Sequence, residues 1–300
     1  MSSAPEQGRT TVTMVPTTGG HQLAVRSTLS DPRAPVLVLL SGMGTPARYY
    51  QPFARRLNDE GLSVILVDLR GQGDSTPKNG RAGSRHGYRE LIEEDVPAVM
   101  QAVRELAPEA TLLLGGHSLG GQLALLAAAH DPGDVAGVVL LAAGNVHWLG
   151  HGPIAGLRYL VAAELFTATA RLWGYWPGER FGFGGTQPAR VMRDWAANGR
   201  RGRYLIHRSD QDYEALLGAL PLPVLAVAVE GDTLAPLGAV TRLVDKVPRA
   251  HLTRWTLPSD PARPSDPKAH FRWVKRSEAV ASCIARWWAE ASSSSESHSP

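Results

Sequence analysis

A serine stands at the centre of Gly116-His117-Ser118-Leu119-Gly120, which matches the pattern G-x-S-x-G. An apolar run at 111–114 precedes it, and a run rich in Leu and Ala at 119–130 follows it. These flanks predict a buried strand that turns abruptly into a helix, with Gly116 and Gly120 removing Cβ atoms that would collide. Such a turn holds Ser118 strained and exposed at the helix N-terminus, where its hydroxyl can act as a nucleophile.

A Gly-rich turn of a nucleotide-binding protein is the alternative interpretation of this stretch. It is disfavoured because the segment has neither the G-x-G-x-x-G order nor the Lys of a P-loop. A serine hydroxyl is a weak nucleophile at neutral pH, so the chemistry also requires a base and a carboxylate that orients the base. The remaining elements must therefore bring a His and an acid to Ser118.

The segment 115–121, with the helix after it, resembles the nucleophile turn of the α/β-hydrolase fold superfamily, in its serine-hydrolase branch of esterases, lipases and serine aminopeptidase-like enzymes. The resemblance extends from about Val12 to Ala289. Residues 68–75 also resemble the D-x-R-G-x-G-x-S segment of that family, with Gln72 where His is common. The resemblance implies an α/β fold with a mostly parallel central sheet, helices on both faces and an inserted helical cap.

Apolar runs alternate with amphipathic segments along most of the chain, which independently favours a mostly parallel sheet covered by helices. The predicted strands are 11–15, 21–29, 36–40, 62–67, 111–114, 135–142, 222–229 and 251–257. The predicted helices are 46–60, 88–106, 119–130, 236–246 and 278–289. The first two strands are expected to pair antiparallel across a turn at 18–20. Pro97 is expected to mark either a kink in the second helix or a helix start near that point.

Residues 145–220 show no clear strand and are too many for an ordinary loop between core strands, so we predict an inserted cap there. The predicted hydrolase core then comprises residues 11–144 and 221–290. The polar stretch 1–10 and the Ser-rich stretch 291–300 are expected to be disordered tails.

In the family the order along the chain is serine, acid, histidine. Asp232 follows the strand predicted at 222–229 and is the expected acid, with Glu230 as the fallback; Asp232 could instead cap the next helix. His270 follows a Pro-rich loop after the last strand and is the expected base. His251 is the competitor, but it begins a strand and should lie at the opposite edge of the sheet.

Two backbone N–H groups are expected to form an oxyanion hole, those of Leu119 and Met43. Relatives often read His-Gly-x where this chain has Ser41-Gly42-Met43. The substrate pocket is expected to include His147, Trp148, Tyr175 and Trp176. Other residues that could line it are Met43, Tyr49, Phe166, Trp173, Phe181 and Phe183. Most of these aromatic residues could equally pack the cap against the core. His117 is expected to pack beside the nucleophile turn.

The composition is ordinary for a globular protein, with 43% hydrophobic and 20% charged residues among 300 and a net charge of +3. The densest basic run, 200–203, is short and is interpreted as a surface loop, so no nucleic-acid partner is predicted. No apolar run approaches the about 20 residues that span a bilayer. The single cysteine, Cys283, and a start that is neither basic nor apolar favour a cytoplasmic location.

These features together predict a serine hydrolase that cleaves a carboxylic ester of a small, apolar substrate through an acyl-enzyme on Ser118. Hydrolysis of an amide, a peptide or a thioester uses the same groups and stays open. A non-catalytic member of the fold that binds a ligand under the cap is the alternative from another class. No cofactor and no metal site are predicted, the expected partner is a small-molecule substrate, and the oligomeric state is left open.

Overall fold

Most strands of the chain join one central sheet. The computed structural model describes residues 10–31, 33–79, 85–264 and 266–296, with side chains as far as residue 293. Its strands are β1 (Thr11–Pro16), β2 (Gln22–Thr28), β3 (Val36–Leu40), β4 (Ser63–Val67), β5 (Leu112–His117), β6 (Val135–Leu141), β7 (Tyr175–Pro177), β8 (Thr186–Pro188), β9 (Pro223–Val229) and β10 (His251–Leu257). The sheet has the order β1-β2-β4-β3-β5-β6-β9-β10, and β7 pairs with β8 separately.

The direction of the strands matches the prediction of a mostly parallel sheet. Neighbours from β4 to β10 in the sheet order run parallel, while β2 is antiparallel to both β1 and β4. Because parallel strands end at one edge, the loops after β3, β5 and β9 meet there. Those are the loops that carry Met43, Ser118 and Asp232.

Helices cover both faces of the sheet. They are α1 (Gln51–Asp59), α2 (Tyr88–Glu90), α3 (Val96–Leu106), α4 (Leu119–His130), α5 (Pro153–Trp173), α6 (Gly178–Phe181), α7 (Ala189–Arg201), α8 (Tyr213–Ala219), α9 (Leu237–Val244), α10 (Ala269–Arg272) and α11 (Ser277–Glu296). Short 3₁₀ turns occupy Ala47–Tyr50, Trp148–His151 and Trp273–Arg276. The predicted α/β architecture is confirmed.

Continuous apolar runs in the central strands feed two cores, one on each face of the sheet. Alternate residues point to opposite faces of a strand. Leu40 and Leu114 accordingly belong to one apolar cluster, and Leu39 and Leu113 to the other, all at most 1% exposed. Burial on both faces explains why these strands lack the apolar–polar alternation of a half-exposed sheet.

The helical stretch 88–106 is irregular where Pro97 was predicted to disturb it. A π turn over Leu91–Asp95 separates α2 from α3, and the Val96 N–H reaches the Leu91 carbonyl across it. Pro97 has no N–H to donate, so it stands in the first turn of α3, where none is needed.

The insert, residues 145–220, lies between β6 and β9 and contributes α5 to α8. The expectation that it contains no strand was wrong, because β7 and β8 form a short antiparallel pair. The run 200–203 is not a loop throughout: Arg200 and Arg201 end α7, and Gly202 terminates it with φ of +66°. That residues 145–220 form a cap over the site stays a prediction.

The expectation of a disordered tail after residue 290 was also wrong in part, because α11 continues to Glu296. Within the extension, Ser292 donates to the Trp288 carbonyl at 2.8 Å and Ser293 to the Glu290 carbonyl at 2.9 Å. Thr10, also expected to be disordered, shares a 3.2 Å hydrogen bond with the Thr28 hydroxyl. Residues 1–9 and 297–300 lie outside the described chain. Within it, no helix is both long and apolar enough to span a bilayer.

Candidate active site

The turn between β5 and α4 strains Ser118 as the sequence predicts. Ser118 has φ of 54° and ψ of −118°, a conformation that non-glycine residues rarely adopt. A Cβ on Gly116 would lie 2.2 Å from the Gly120 carbonyl carbon, and one on Gly120 would lie 2.2 Å from the Leu40 carbonyl oxygen. Only glycine fits at either position, so the two glycines make the turn possible.

His270 and Asp232 form a buried pair. Nδ1 of His270 lies 2.7 Å from Oδ2 of Asp232, and the two side chains are 4% and 0% exposed. The other oxygen of Asp232 accepts the N–H groups of Leu234 and Ala235 at 2.8 and 2.9 Å. Asp232 is not the N-cap of α9, because that role falls to Pro236. An ionised carboxylate only accepts hydrogen bonds, so with Asp232 charged Nδ1 carries the proton and Nε2 of neutral His270 is an acceptor.

The two alternative residues lie elsewhere. Glu230 is exposed, and its carboxylate accepts the Ser259 N–H at 2.7 Å. His251 is the exposed first residue of β10, at the amino end of that strand and thus at the edge opposite Ser118.

Ser118 and His270 line the same cavity, whose volume is about 110 Å³. Its walls are Gly42, Met43, His117, Ser118, Leu119, Gln122, Gly144, Val146, Tyr159, Gly182, Phe183, Gly184, Trp195, Leu234, Ala235, His270 and Phe271. The insert supplies three aromatic rings to these walls, those of Tyr159, Phe183 and Trp195.

Of the residues that the sequence suggested for the pocket lining, Met43 and Phe183 line this cavity. His147, Trp148, Tyr175 and Trp176 are not among the described residues that form these walls. Trp176 is buried inside the insert, where its ring stacks on that of Phe166 and its indole N–H donates to a carbonyl at 2.9 Å. The insert thus uses these rings for its own packing.

Met43 and Leu119, the two predicted oxyanion donors, both line the cavity with Ser118. Leu119 is the first residue of α4, so its N–H has no acceptor within the helix. The hydrogen bonds among the described residues give the N–H of Met43 no acceptor either. That these two N–H groups bind an oxyanion stays a prediction.

The loop carrying Met43, residues 41–44, is held by a side chain whose role the sequence did not reveal. Oε1 of Gln72 accepts the Gly44 N–H at 2.6 Å. Gln72 is fixed in turn by its segment, where the buried carboxylate of Asp68 accepts the N–H groups of Ala47 and Asp74. Burial raises the pKa of Asp68. The D-x-R-G-x-G-x-S resemblance pointed to structural support but not to this contact.

A second support links the 41–44 loop to His270 through Tyr50 and His117. The Tyr50 hydroxyl oxygen accepts the Gly42 N–H at 3.0 Å and lies 2.8 Å from Nδ1 of His117. Nε2 of His117 lies 2.9 Å from the His270 carbonyl oxygen, which can only accept, so Nε2 carries a proton. Burial, and the neighbouring His270, lower the pKa of His117 well below its usual value, so the ring is neutral and Nδ1 accepts the Tyr50 O–H.

The insert touches the same loop by backbone contact. A Cβ on Gly44, whose φ is +69°, would lie 2.4 Å from the Gly184 carbonyl carbon and 2.5 Å from the Gly185 nitrogen. A Cβ on Gly184 would lie 2.8 Å from the sulfur of Met43. No side chain fits between these segments, so residues 183–185 of the insert rest directly on the 41–44 loop.

The fold resembles that of known hydrolases over nearly its whole length. The structure of Est1E from Butyrivibrio proteoclasticus with ferulic acid superposes with a TM-score of 0.62 and 16% sequence identity, covering 92% of this chain and 99% of the other. The family model described as serine aminopeptidase, S33, matches residues 31–175, just under half of the chain. The chain has the α/β-hydrolase fold.

Relatives of this α/β-hydrolase carry several hydrolase names. The putative carbamate hydrolase RutD of Agrobacterium fabrum is 26% identical over 234 residues, which are 74% of this chain and 85% of the relative. The monoacylglycerol lipase of Mycolicibacterium smegmatis is 33% identical over 113 residues, 37% of this chain and 38% of the lipase. The chain is thus similar to hydrolases of more than one substrate class.

Proposed function

We propose that this α/β-hydrolase is a serine hydrolase that cleaves the carboxylic ester of a small, apolar substrate through an acyl-enzyme on Ser118. The observation that carries the proposal is the buried pair of His270 and Asp232, in which Nδ1 lies 2.7 Å from Oδ2. His270 lines the same cavity as Ser118, which is held in a strained turn. Strain that the surrounding structure maintains is typical of functional positions.

In the proposed reaction the Ser118 oxygen attacks the ester carbonyl while Nε2 of His270 takes the hydroxyl proton. Asp232 keeps the proton of His270 on Nδ1 and stabilises the imidazolium. The N–H groups of Met43 and Leu119 bind the negative oxygen of the tetrahedral intermediate. The C–O bond to the alcohol then breaks, and His270 returns its proton to the leaving oxygen. Water, activated by His270, releases the acid and restores Ser118.

The cavity supports a short acyl group. Its volume of about 110 Å³ is below the about 300 Å³ at which drug-sized ligand pockets begin. Aromatic walls from Phe183, Trp195 and Phe271 favour an apolar group over a charged one.

Amides, thioesters and carbamates are the competing substrates, because the same groups act on any acyl carbon. The carbamate is included because the relative with that name aligns over 74% of this chain. A ligand-binding protein without activity is the alternative from another class. A cytoplasmic location remains part of the proposal and rests on a buried, unpaired Cys283.

A fluorophosphonate probe tests the nucleophile. Intact mass spectrometry should show one adduct on the wild type and none on Ser118→Ala, and peptide mapping should locate it on Ser118. An unlabelled wild type would favour the ligand-binding alternative.

Substrate class is then read from p-nitrophenyl esters of graded acyl length, compared with aminoacyl nitroanilides, acyl thioesters and aryl carbamates. We expect kcat/KM to be highest for short acyl esters. A higher value on the nitroanilides, thioesters or carbamates would replace the ester proposal.

A further inference from the structure

Helix α5 buries its small residues and exposes its large ones. Gly156, Ala163, Thr167 and Ala170 are its buried positions. The large apolar side chains Ile154, Leu157, Val161, Leu165 and Leu172 are 70%, 56%, 52%, 62% and 84% exposed. The usual amphipathic helix of a globular protein shows the reverse arrangement.

The exposed residues form one stripe, which we call the α5 face and define as Ile154, Leu157, Val161, Leu165 and Leu172. Their spacing is three, four, four and seven residues. With about 100° of rotation per residue, all five fall within one narrow side of the helix. Single exposed apolar residues are common, whereas a contiguous exposed stripe marks an interaction site.

Tyr159 shows where the α5 face lies relative to the cavity. Tyr159 lies on the same helix, but about 140° around the axis from Ile154, and lines the cavity. The helix therefore stands between the cavity and whatever covers the α5 face. Phe181, also in the insert, is 59% exposed and directly precedes the cavity residues Gly182 and Phe183.

The charge of this region is unlike that of the remaining chain. Residues 153–203 contain eight arginines, no lysine and three carboxylates, which gives them a net charge of +5. The whole chain carries +3, so the rest is net negative. Arg158 and Arg171 flank the stripe on α5, and the ion pairs among the described residues include neither of them.

We propose that the α5 face docks on an anionic lipid surface, with the helix lying in the plane of the headgroups. Apolar side chains on one face with arginines beside them are typical of helices that bind this way. Anionic lipids attract such arginines electrostatically. A second copy of the chain fits less well, because a symmetric contact would set one cationic region against another.

Flotation with lipid vesicles tests the proposal on the full chain without any substrate, so the result does not depend on the proposed activity. The vesicles are pure phosphatidylcholine, or phosphatidylcholine with one third phosphatidylglycerol. We expect binding to the phosphatidylglycerol vesicles and a fall in binding as salt increases. Leu157→Gln with Leu165→Gln should lower the partition coefficient by about tenfold for each side chain removed from lipid.

A matched control is Leu106→Gln. Leu106 is 51% exposed at the end of α3. The chain then enters the amino end of β5, so Leu106 lies at the sheet edge opposite Ser118. It should bind like the wild type. Arg158→Gln with Arg171→Gln should weaken binding to phosphatidylglycerol vesicles and reduce its dependence on salt. Unchanged melting temperatures show that all variants fold.

Three outcomes overturn the proposal. One is that the wild type floats with neither kind of vesicle at low salt. Another is an equal loss in the Leu106 and the α5 variants. The third is a wild-type dimer, measured by light scattering, that the α5 substitutions convert to monomer, because the α5 face would then be a contact between copies.

Discussion

The hydroxyl oxygen of Tyr50 lies 2.8 Å from Nδ1 of His117, and through this contact the 41–44 loop is joined to the backbone of His270. The connection runs through neutral groups only, with Gly42 donating to Tyr50, Tyr50 to His117 and His117 to the His270 carbonyl. It therefore fixes the position of two proposed parts of the reaction, the oxyanion donor and the base, relative to each other. Tyr50 and His117 are both fully buried.

Tyr50→Phe should lower kcat with little change in KM. The variant removes the donor to His117 and the acceptor of the Gly42 N–H, and each buried group left unpaired costs about 1–3 kcal/mol. The control is Tyr213→Phe, which also loses a buried tyrosine's hydrogen bond, to Glu93, but lies outside the cavity walls. Both variants should lose stability, and only Tyr50→Phe should lose kcat, measured well below either melting temperature. Equal kcat values would show that the contact is structural only.

Acid should destabilise the fold through buried neutral histidines. The pKa of His117 is held well below the about 6.5 of a free imidazole, so below that pH the unfolded chain binds the extra proton. The free energy of unfolding should then fall as pH drops from about 6.5 to 5, by about 1.4 kcal/mol per pH unit for each such histidine. In urea titrations, His117→Gln should reduce the pH dependence of the free energy of unfolding by the contribution of one histidine. Above about pH 7 the two slopes should agree, and a difference there would point to another group.

Replacing His270 and replacing His251 should have opposite effects on kcat/KM. His270→Ala should lower kcat/KM on an activated ester by about 10⁴-fold, and Asp232→Asn by a similar factor, because the wrong tautomer then faces Ser118. His251→Ala should leave kcat/KM near the wild-type value, since its ring lies at the far edge of the sheet. An inactive His251 variant beside an active His270 variant would require another base.

Gly44→Ala should separate the insert from the 41–44 loop and reduce kcat. Its methyl group would lie 2.4 Å from the Gly184 carbonyl carbon. Because both segments meet through their backbones, relieving this clash requires the backbone of one of them to move. Gly174→Ala is the matched control, because its φ of +82° carries similar backbone strain and its added methyl meets nothing within 4 Å. Both should lose about 1–2 kcal/mol of stability from the left-handed conformation. Only Gly44→Ala should also lose activity on a small ester, and equal activities would contradict the role of the contact.

The sequence predicted local structure well where a single pattern determines it. β3, α4 and β10 have the predicted bounds. The first two are a continuous apolar run and a Leu–Ala run, each bounded by proline, serine or a charged residue. The role of the glycines beside Ser118 was also predictable from the sequence, since so tight a turn accepts no other residue at these positions. Helix α11 runs past its predicted end into the Ser-rich stretch, which composition alone does not reveal.

Contacts between distant segments were beyond such patterns. Gln72 and Gly44 are 28 residues apart, and Tyr50 and His117 are 67 apart. Nor did the sequence indicate which aromatic rings of the insert face the cavity. Trp176 and Phe183 lie in one Gly-rich stretch, yet the first packs inside the insert and the second lines the cavity.

The backbone contact between residues 183–185 and the 41–44 loop limits which inserts this chain can accept. An insert without glycines in place of Gly184 and Gly185 would collide with Gly44, and a side chain at position 44 would collide with the present insert. Chimeras should therefore exchange both segments together. The outer side of α5 carries no such constraint, so it can be redesigned residue by residue while the catalytic edge stays intact.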